Sequence, residues 1–333
     1  MGNPPLKIFF HKFEILGVVV LELNSLEPYH NFDTILESER AGVKNKKQGV
    51  SPMKKWIVLV VFISILTIYG CGHGQKKTGI VASIPPLASF AKAIGGNTFS
   101  YSSVVPTTAN PHIYEPLPDD IVKAKKAVLF IYVGDNIDPW AAKLAKETEN
   151  RSLEVIKAIR QKHVIFENPH VWLDPLLVPV IVQAIADTLS SIYPESSAVF
   201  KRNLEDYTSR LERAFLDARA KIAKLPNRNI LVYHGAWAPM LRNIGLNVVA
   251  IISEHPAQEP SAKRVSDVIR LAKSSNVKIV VAEENFPTKI PKKIAEAIGA
   301  KLIVVNPLYS DDFIVVLQNL TTQIVTAIQE GSS

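Results

Sequence analysis

From Gly79 onward the chain alternates short apolar runs with longer stretches in which apolar residues recur every three or four positions, the pattern of strands alternating with helices. Residues 79–84 read as a strand that leads through Pro85-Pro86 into a helix over 87–94, closed by Gly95-Gly96. A strand over 100–105, a helix near 119–125, a strand over 127–133, a helix near 139–147, a strand at 164–166 and a helix over 178–192 follow. This order predicts an α/β fold with mainly parallel sheets.

Between Pro194 and Leu225 the alternation stops. Phe200, Leu204, Tyr207, Leu211, Phe215 and Ile222 recur at helical spacing with charges between them. Some thirty residues without Gly or internal Pro predict a helix of roughly 45 Å. No sustained heptads accompany it, so it reads as a rigid connector laid across two lobes and not as a coiled-coil arm. Beyond Pro226 the alternation resumes: strands at 230–233, 247–252, 277–282 and 301–305, helices at 236–244, 261–274 and 291–298, and a last helix from Asp312. The expected architecture is two similar α/β lobes, 79–193 and 226–333, joined by one long rigid helix over 194–225.

Composition leaves this picture intact and narrows the partners. The 333 residues are 47% hydrophobic and 21% charged, values that suit a globular chain with two cores. The formal charge of +7 is spread along the sequence without a basic stripe carrying aromatics, which excludes nucleic acid as the expected partner. Cys71 is the single cysteine, so neither an internal disulfide nor a thiolate cluster is possible.

The position of Cys71 is informative. Met53-Lys54-Lys55 begins a positive segment, an apolar run over 56–69 follows, and Gly70-Cys71 closes it, a secretory signal too short to span a membrane comfortably. Ile68-Tyr69-Gly70-Cys71 resembles a bacterial lipobox, in which the signal is cut before the cysteine and its thiol is lipidated. Residues 53–70 are thus expected to be a lipoprotein signal peptide and 71–78 a lipidated tether. A signal belongs at the start of a chain, so residues 1–52 are expected to be a non-native upstream extension, with Met53 as the start.

The candidate chemistry lies in histidines. Asn110-Pro111-His112 and Asn168-Pro169-His170 repeat one tripeptide, each followed by an aliphatic residue and then an aromatic, Tyr114 and Trp172. Proline fixes its own φ and pushes the preceding residue toward extended backbone, so each histidine stands at a stiff corner. His234 follows the apolar run at 230–233 and is expected just past a strand's carboxyl end. Three imidazoles at strand or loop ends point to a metal, zinc before manganese or calcium, which prefer more oxygen. His73, His163 and His255 lack this context and read as surface residues.

At this point the motifs resemble a known family. Pro85-Pro86-Leu87, the run from Asn110 to Asp119, Pro169-His170-Val171-Trp172-Leu173-Asp174-Pro175, Tyr233-His234-Gly235-Ala236-Trp237 and Glu259-Pro260-Ser261 are similar to the motif series of zinc/manganese solute-binding proteins of bacterial ABC transporters. The resemblance implies a metal site in the cleft between two lobes, with His112 and His170 as the first two ligands and His234 as the third. Histidine at the third place resembles the zinc branch, whereas manganese members often carry a carboxylate there. It implies a lipid-anchored, exported receptor, acting as a monomer, that captures Zn2+ (Mn2+ as the alternative) and delivers it to an ABC permease without catalysis. A rigid connecting helix suggests small lobe movements.

Two departures qualify this. The family's aspartate before Pro-Leu is Asn306 here, and an amide is a far weaker zinc ligand. Asp311 and Asp312 are the expected substitutes, with Glu283 and Glu284 or a water as alternatives. The histidine-rich loop of many zinc members is also missing. A manganese or iron receptor of the same family remains open. So does a zinc hydrolase with Glu283 or Glu284 as base, although no His-Glu-x-x-His is present. An adhesin role leaves no signature in the sequence.

Overall fold

The computed structural model describes residues 79–148, 151–253 and 259–330. The expected upstream extension, the signal peptide, Cys71, the tether and His255 lie outside the described residues. Four strands, β1 (Gly79–Ala82), β2 (Ser100–Ser103), β3 (Leu129–Tyr132) and β4 (Ser152–Glu154), form a parallel sheet in the order β2-β1-β3-β4. Four more, β5 (Asn229–His234), β6 (Asn247–Ser253), β7 (Ile279–Glu283) and β8 (Lys301–Val305), repeat that order as β6-β5-β7-β8, again parallel. Each sheet therefore reverses its strand order beside its first strand, and an open α/β sheet offers its binding crevice at the carboxyl ends there.

Strand alternation explains the layers. Ile80, Leu129 and Ile131 face one way and Val81, Phe130 and Tyr132 the other, so both faces of the first sheet are buried. In the second sheet Ile230, Val232, Ile279 and Val281 share the core of Ile80 and Ile131, while Leu231, Tyr233, Val280 and Ala282 build a separate outer core. One face of each sheet thus contributes to a single continuous core. It is covered by α1 (Pro85–Gly95), α5 (Val178–Ile192), α6 (Ser197–Ala223) and α10 (Phe313–Glu330).

Helix α6 is the connector. It runs for 27 residues, about 40 Å at 1.5 Å per residue, after a short 3-10 turn at Pro194–Ser196. Its buried face is Phe200, Leu204, Tyr207, Leu211, Ala214, Phe215, Ala218 and Ile222. Where it crosses between the lobes, Phe90 of α1 meets Tyr207 edge-on at 6.4 Å and Phe313 of α10 at 6.2 Å. An apolar seam built this way resists a wide hinge motion, because opening it would expose aromatic surface to water.

The local signals match their elements. Prolines occupy the first turn of α1, where their missing N–H is harmless, and Gly96 follows α1 at φ 62°. In α2 (Pro118–Lys126) the Asp120 carboxylate accepts from Leu117 N–H at 3.1 Å. The remaining helices are α3 (Ala141–Lys146), α4 (Val155–Gln161), α7 (Ala238–Asn243), α8 (Ala262–Ser274) and α9 (Lys289–Ile298). Ser261 caps α8 through its hydroxyl, which accepts from Arg264 N–H at 3.2 Å.

One stretch departs from expectation. Residues 164–166 form no strand: Ile165 is 93% exposed, and the Arg160 guanidinium lies over the Phe166 ring at 5.7 Å. The fourth strand is instead Ser152-Leu153-Glu154, held to β3 by backbone pairing and by Tyr132 Oη donating to Glu154 Oε2 at 3.0 Å. Helix α4 then fills the interval up to the second histidine loop. No described helix is long and apolar enough to cross a membrane.

Candidate metal centre

Both Asn-Pro-His tripeptides fold by the same local device. Asn110 Oδ1 accepts from His112 N–H at 3.0 Å, and Asn168 Oδ1 accepts from His170 N–H at 2.9 Å. Each asparagine side chain thereby closes a turn over the intervening proline and aims the histidine that follows. His234 is the last residue of β5, one place earlier than expected, at the point where the second sheet reverses its order.

The three histidines meet. Their ring nitrogens lie within 4.8 Å of one another, and among the described His, Cys, Asp and Glu residues no other such group exists. His170 Nε2 and His234 Nε2 are 3.4 Å apart, which is about the separation of two nitrogens held 2.0–2.1 Å from one tetrahedral zinc. The rings stand at steep angles to one another, 65°, 78° and 87° for the three pairs. They converge as separate ligands do and do not stack.

Second-sphere partners set two of the rings. His112 Nδ1 faces the Asn136 carbonyl at 2.7 Å, and His170 Nδ1 faces Asn168 Oδ1 at 2.8 Å. Both partners can only accept, so Nδ1 carries the proton and Nε2 keeps its lone pair for the cleft. Asn168 also donates from Nδ2 to the Gly235 carbonyl at 2.8 Å, which ties the His170 loop to the residue after His234. Burial, together with the neighbouring His234 and His112, holds the His170 imidazole well below the usual histidine range. Burial also lowers His112, with the Asn136 carbonyl opposing part of that effect. Neutral imidazole is the form that binds metal.

The lobes are stitched around these rings. Trp172 Nε1 donates to the Pro307 carbonyl at 2.8 Å, Tyr309 Oη donates back to the Trp172 carbonyl at 3.2 Å, and Asn243 Nδ2 donates to Asp174 Oδ1 at 2.8 Å. Between the histidines lies a cavity of about 10 Å³, walled also by Trp172, Asn285, Phe286 and Leu308. It has room for one atom-sized guest.

The carboxylates expected as substitutes are elsewhere. Asp312 Oδ1 accepts from Tyr207 Oη at 3.2 Å and from Ile314 N–H at 3.0 Å, and its Oδ2 accepts from Arg210 at 3.4 Å. It starts α10 and anchors it to α6, which is why it does not reach the histidines. Asp311 is exposed, and only its backbone carbonyl is engaged, by Ser89 Oγ at 2.8 Å. Glu284 is exposed. Glu283 is fully buried at the end of β7, its carboxyl pushed up to about 8 by burial, with the backbone N–H groups of Glu283 and His234 opposing the shift. It does not join the histidine group. Asn306 uses both ends of its amide: Oδ1 accepts from Leu308 N–H at 2.8 Å and Nδ2 donates to the Thr107 carbonyl at 3.1 Å. His163 is exposed, in left-handed backbone at φ 56°. Asn285 escaped sequence reasoning, because an asparagine in a loop after a strand carries no signal of its own.

Two parallel α/β lobes spanned by one long helix, with imidazoles converging between them, define a bilobal solute-binding protein of the rigid-helix type. The chain belongs to the family described as "Zinc-uptake complex component A periplasmic", which matches residues 80–327. Over 323 residues it is 27% identical to the zinc-binding protein AdcA of Streptococcus pyogenes serotype M3, covering 84% of this chain and 63% of that protein. It is 25% identical over 284 residues to the high-affinity zinc uptake system protein ZnuA of Bacillus subtilis (strain 168), covering 77% of this chain and 89% of that one. A crystal structure of ZnuA superposes with a TM-score of 0.68 at 30% identity, covering 76% of this chain and all of that one (100%).

Proposed function

We propose that this protein captures Zn2+ outside the cytoplasmic membrane and passes it to an ABC permease, with His112, His170 and His234 as ligands and a lipid on Cys71 as anchor. The observation that carries the reading is the convergence of three ring nitrogens within 4.8 Å, two of them at the spacing of a shared tetrahedral ion. The names of the relatives, a zinc-binding protein and a zinc uptake protein, support the choice of metal. An all-imidazole set favours zinc over manganese for the same reason. The protein binds and releases without catalysis. A cavity of about 10 Å³ supports this, since it admits an ion and has no room for an organic substrate beside it.

Metal analysis of protein purified without added metal tests the reading, together with competition between zinc and manganese for the site. One zinc per chain, displaced only by a large excess of manganese, is expected. Protein that binds neither metal, or that prefers manganese, overturns it. Cys71→Ala should release the protein from membranes with zinc binding unchanged. Membrane retention of that variant would defeat the lipid anchor.

A further inference from the structure

We propose that the side-chain oxygen of Asn285 is the fourth donor of the metal site. The inference rests on the three-histidine reading above and extends it. Zinc takes four ligands, and the histidines supply three. Asp312 is committed to Tyr207 and Arg210, Asp311 and Glu284 are exposed, Glu283 is buried but lies outside the histidine group, and Asn306 spends both ends of its amide on Leu308 and Thr107.

Asn285 differs from Asn306 in one respect. Its Nδ2 donates to the Ala109 carbonyl at 3.3 Å, and since a carbonyl only accepts, this contact fixes which end of the amide is the oxygen. Oδ1 is buried and has no hydrogen-bond partner. Asn285 lines the same cavity as the three histidines. A buried acceptor without a partner is unfavourable, and coordination to a cation would satisfy it. The cavity volume of about 10 Å³ corresponds to one water-sized sphere. An ion occupies that space, and Asn285 in the wall offers it an oxygen donor.

The chemistry suits a cargo site. Three neutral imidazoles and a neutral amide hold a dication less tightly than a set containing a carboxylate. The Ala109 carbonyl that positions Asn285 directly precedes Asn110, the residue that aims His112. The fourth donor and the first histidine therefore come from opposite lobes and are tied by this one bond, and parting the lobes breaks it and separates the two donors.

The test uses the full chain with Asn285→Ala and Asn285→Asp. It reads zinc affinity by chelator competition and the visible spectrum of the cobalt(II)-loaded protein, with His170→Ala as control. As a donor, Asn285 predicts opposite outcomes. N285A weakens zinc at least about tenfold and alters the cobalt spectrum, while N285D tightens zinc by about tenfold because a carboxylate replaces the amide. As a mere interlobe clasp, both variants lose the N–H donated to Ala109, so both weaken binding with the cobalt spectrum unchanged, and the proposal falls. It also falls if N285A stays within twofold of the parent. Should N285A fail to fold, N285D decides alone: tighter binding supports the proposal and weaker binding overturns it. Parent protein that binds zinc while His170→Ala does not keeps the three-histidine reading intact under any of these results. A parent that binds none defeats that reading itself.

Discussion

The Nε2 atoms of His170 and His234, brought together from different lobes, stand 3.4 Å apart in a buried cleft. One ring can donate to the other at that distance, and it is also the distance at which both nitrogens can share one tetrahedral zinc. His112 completes the set from the less buried side. Replacing any one of the three by alanine is expected to weaken zinc binding by more than about 100-fold, beyond the 10–100-fold range of outer-shell changes. His163→Ala should leave it unaltered. Chelator-competition titrations of the four variants check this, and equal losses in all four would remove the site.

The two asparagines of the repeated tripeptide should not be equivalent. Asn168 holds the backbone and Nδ1 of His170 and reaches the Gly235 carbonyl beside His234, while the Asn110 side chain accepts only from the His112 backbone. Asn168→Ala is expected to weaken zinc by about 10–100-fold, as loss of an orienting partner does. Asn110→Ala should cost clearly less, because Asn136 still orients the His112 ring. Titrating the two variants side by side decides the ranking.

With these nitrogens as the proposed zinc ligands, protons compete with the metal for them, and the lowered values of His170 and His112 put that competition at low pH. Burial holds His170 well below the usual histidine value and lowers His112 as well. A histidine whose folded pKa is depressed stays neutral as pH falls through about 6.5 and begins to protonate only further down. Zinc affinity should therefore persist through pH 6.5 and fall below it. The metal-free protein should lose stability over the same descent, because the unfolded chain takes up protons at about 6.5 that the folded chain refuses. Affinity and thermal unfolding measured between pH 7.5 and 5 check both, and a fall in affinity centred at 6.5 would show that the rings are not buried as described.

Glu283 gives the opposite slope. Its carboxyl is pushed from 4.5 up to about 8 by burial, so the folded state holds its proton more tightly than the unfolded state. The stability this contributes is present below pH 4.5 and is lost as pH rises toward 8. Glu283→Gln keeps the shape and cannot ionise, so the metal-free variant should gain on the parent by a few kcal/mol across that rise. Denaturant unfolding of both proteins in the presence of chelator, at pH 5 and pH 8, measures the difference. A constant gap between the two curves would mean that Glu283 is not titrating.

Local devices made much of the site legible. An Asn-Pro-His tripeptide encodes its own turn, so the corners bearing His112 and His170 could be read from three residues each, and the apolar run before His234 marked the strand it ends. The long helix was visible because Phe200 through Ile222 keep helical spacing without a Gly or Pro. What could not be read depends on partners far along the chain. Asn306 and Asn285 bond to carbonyls 199 and 176 residues away, and nothing local separates an asparagine that spends both amide ends from one that keeps its oxygen free. Ser152-Leu153-Glu154 is too short and polar to announce a strand, whereas Val164-Ile165-Phe166 has strand composition but follows a left-handed His163 and points Ile165 into solvent.

Asp312 is where pattern and structure part most clearly, and its mutation separates a structural role from a ligand's. It caps α10 through Ile314 N–H, and its Oδ1 holds the hydroxyl of the buried Tyr207. The contact with Arg210 is long at 3.4 Å and partly exposed, and so contributes little. Asp312→Ala removes the cap and leaves the Tyr207 hydroxyl without its acceptor, for an expected loss of about 1–3 kcal/mol in unfolding free energy. Zinc affinity should stay within twofold of the parent, because neither carboxylate oxygen approaches the histidines. Asp311→Ala should change neither quantity, since only its backbone is engaged. Denaturant unfolding paired with zinc titration gives both numbers on one sample. A loss of zinc binding in Asp312→Ala as large as that in His170→Ala would return the carboxylate to the site, with α10 shifting its first turn toward the cleft when metal binds.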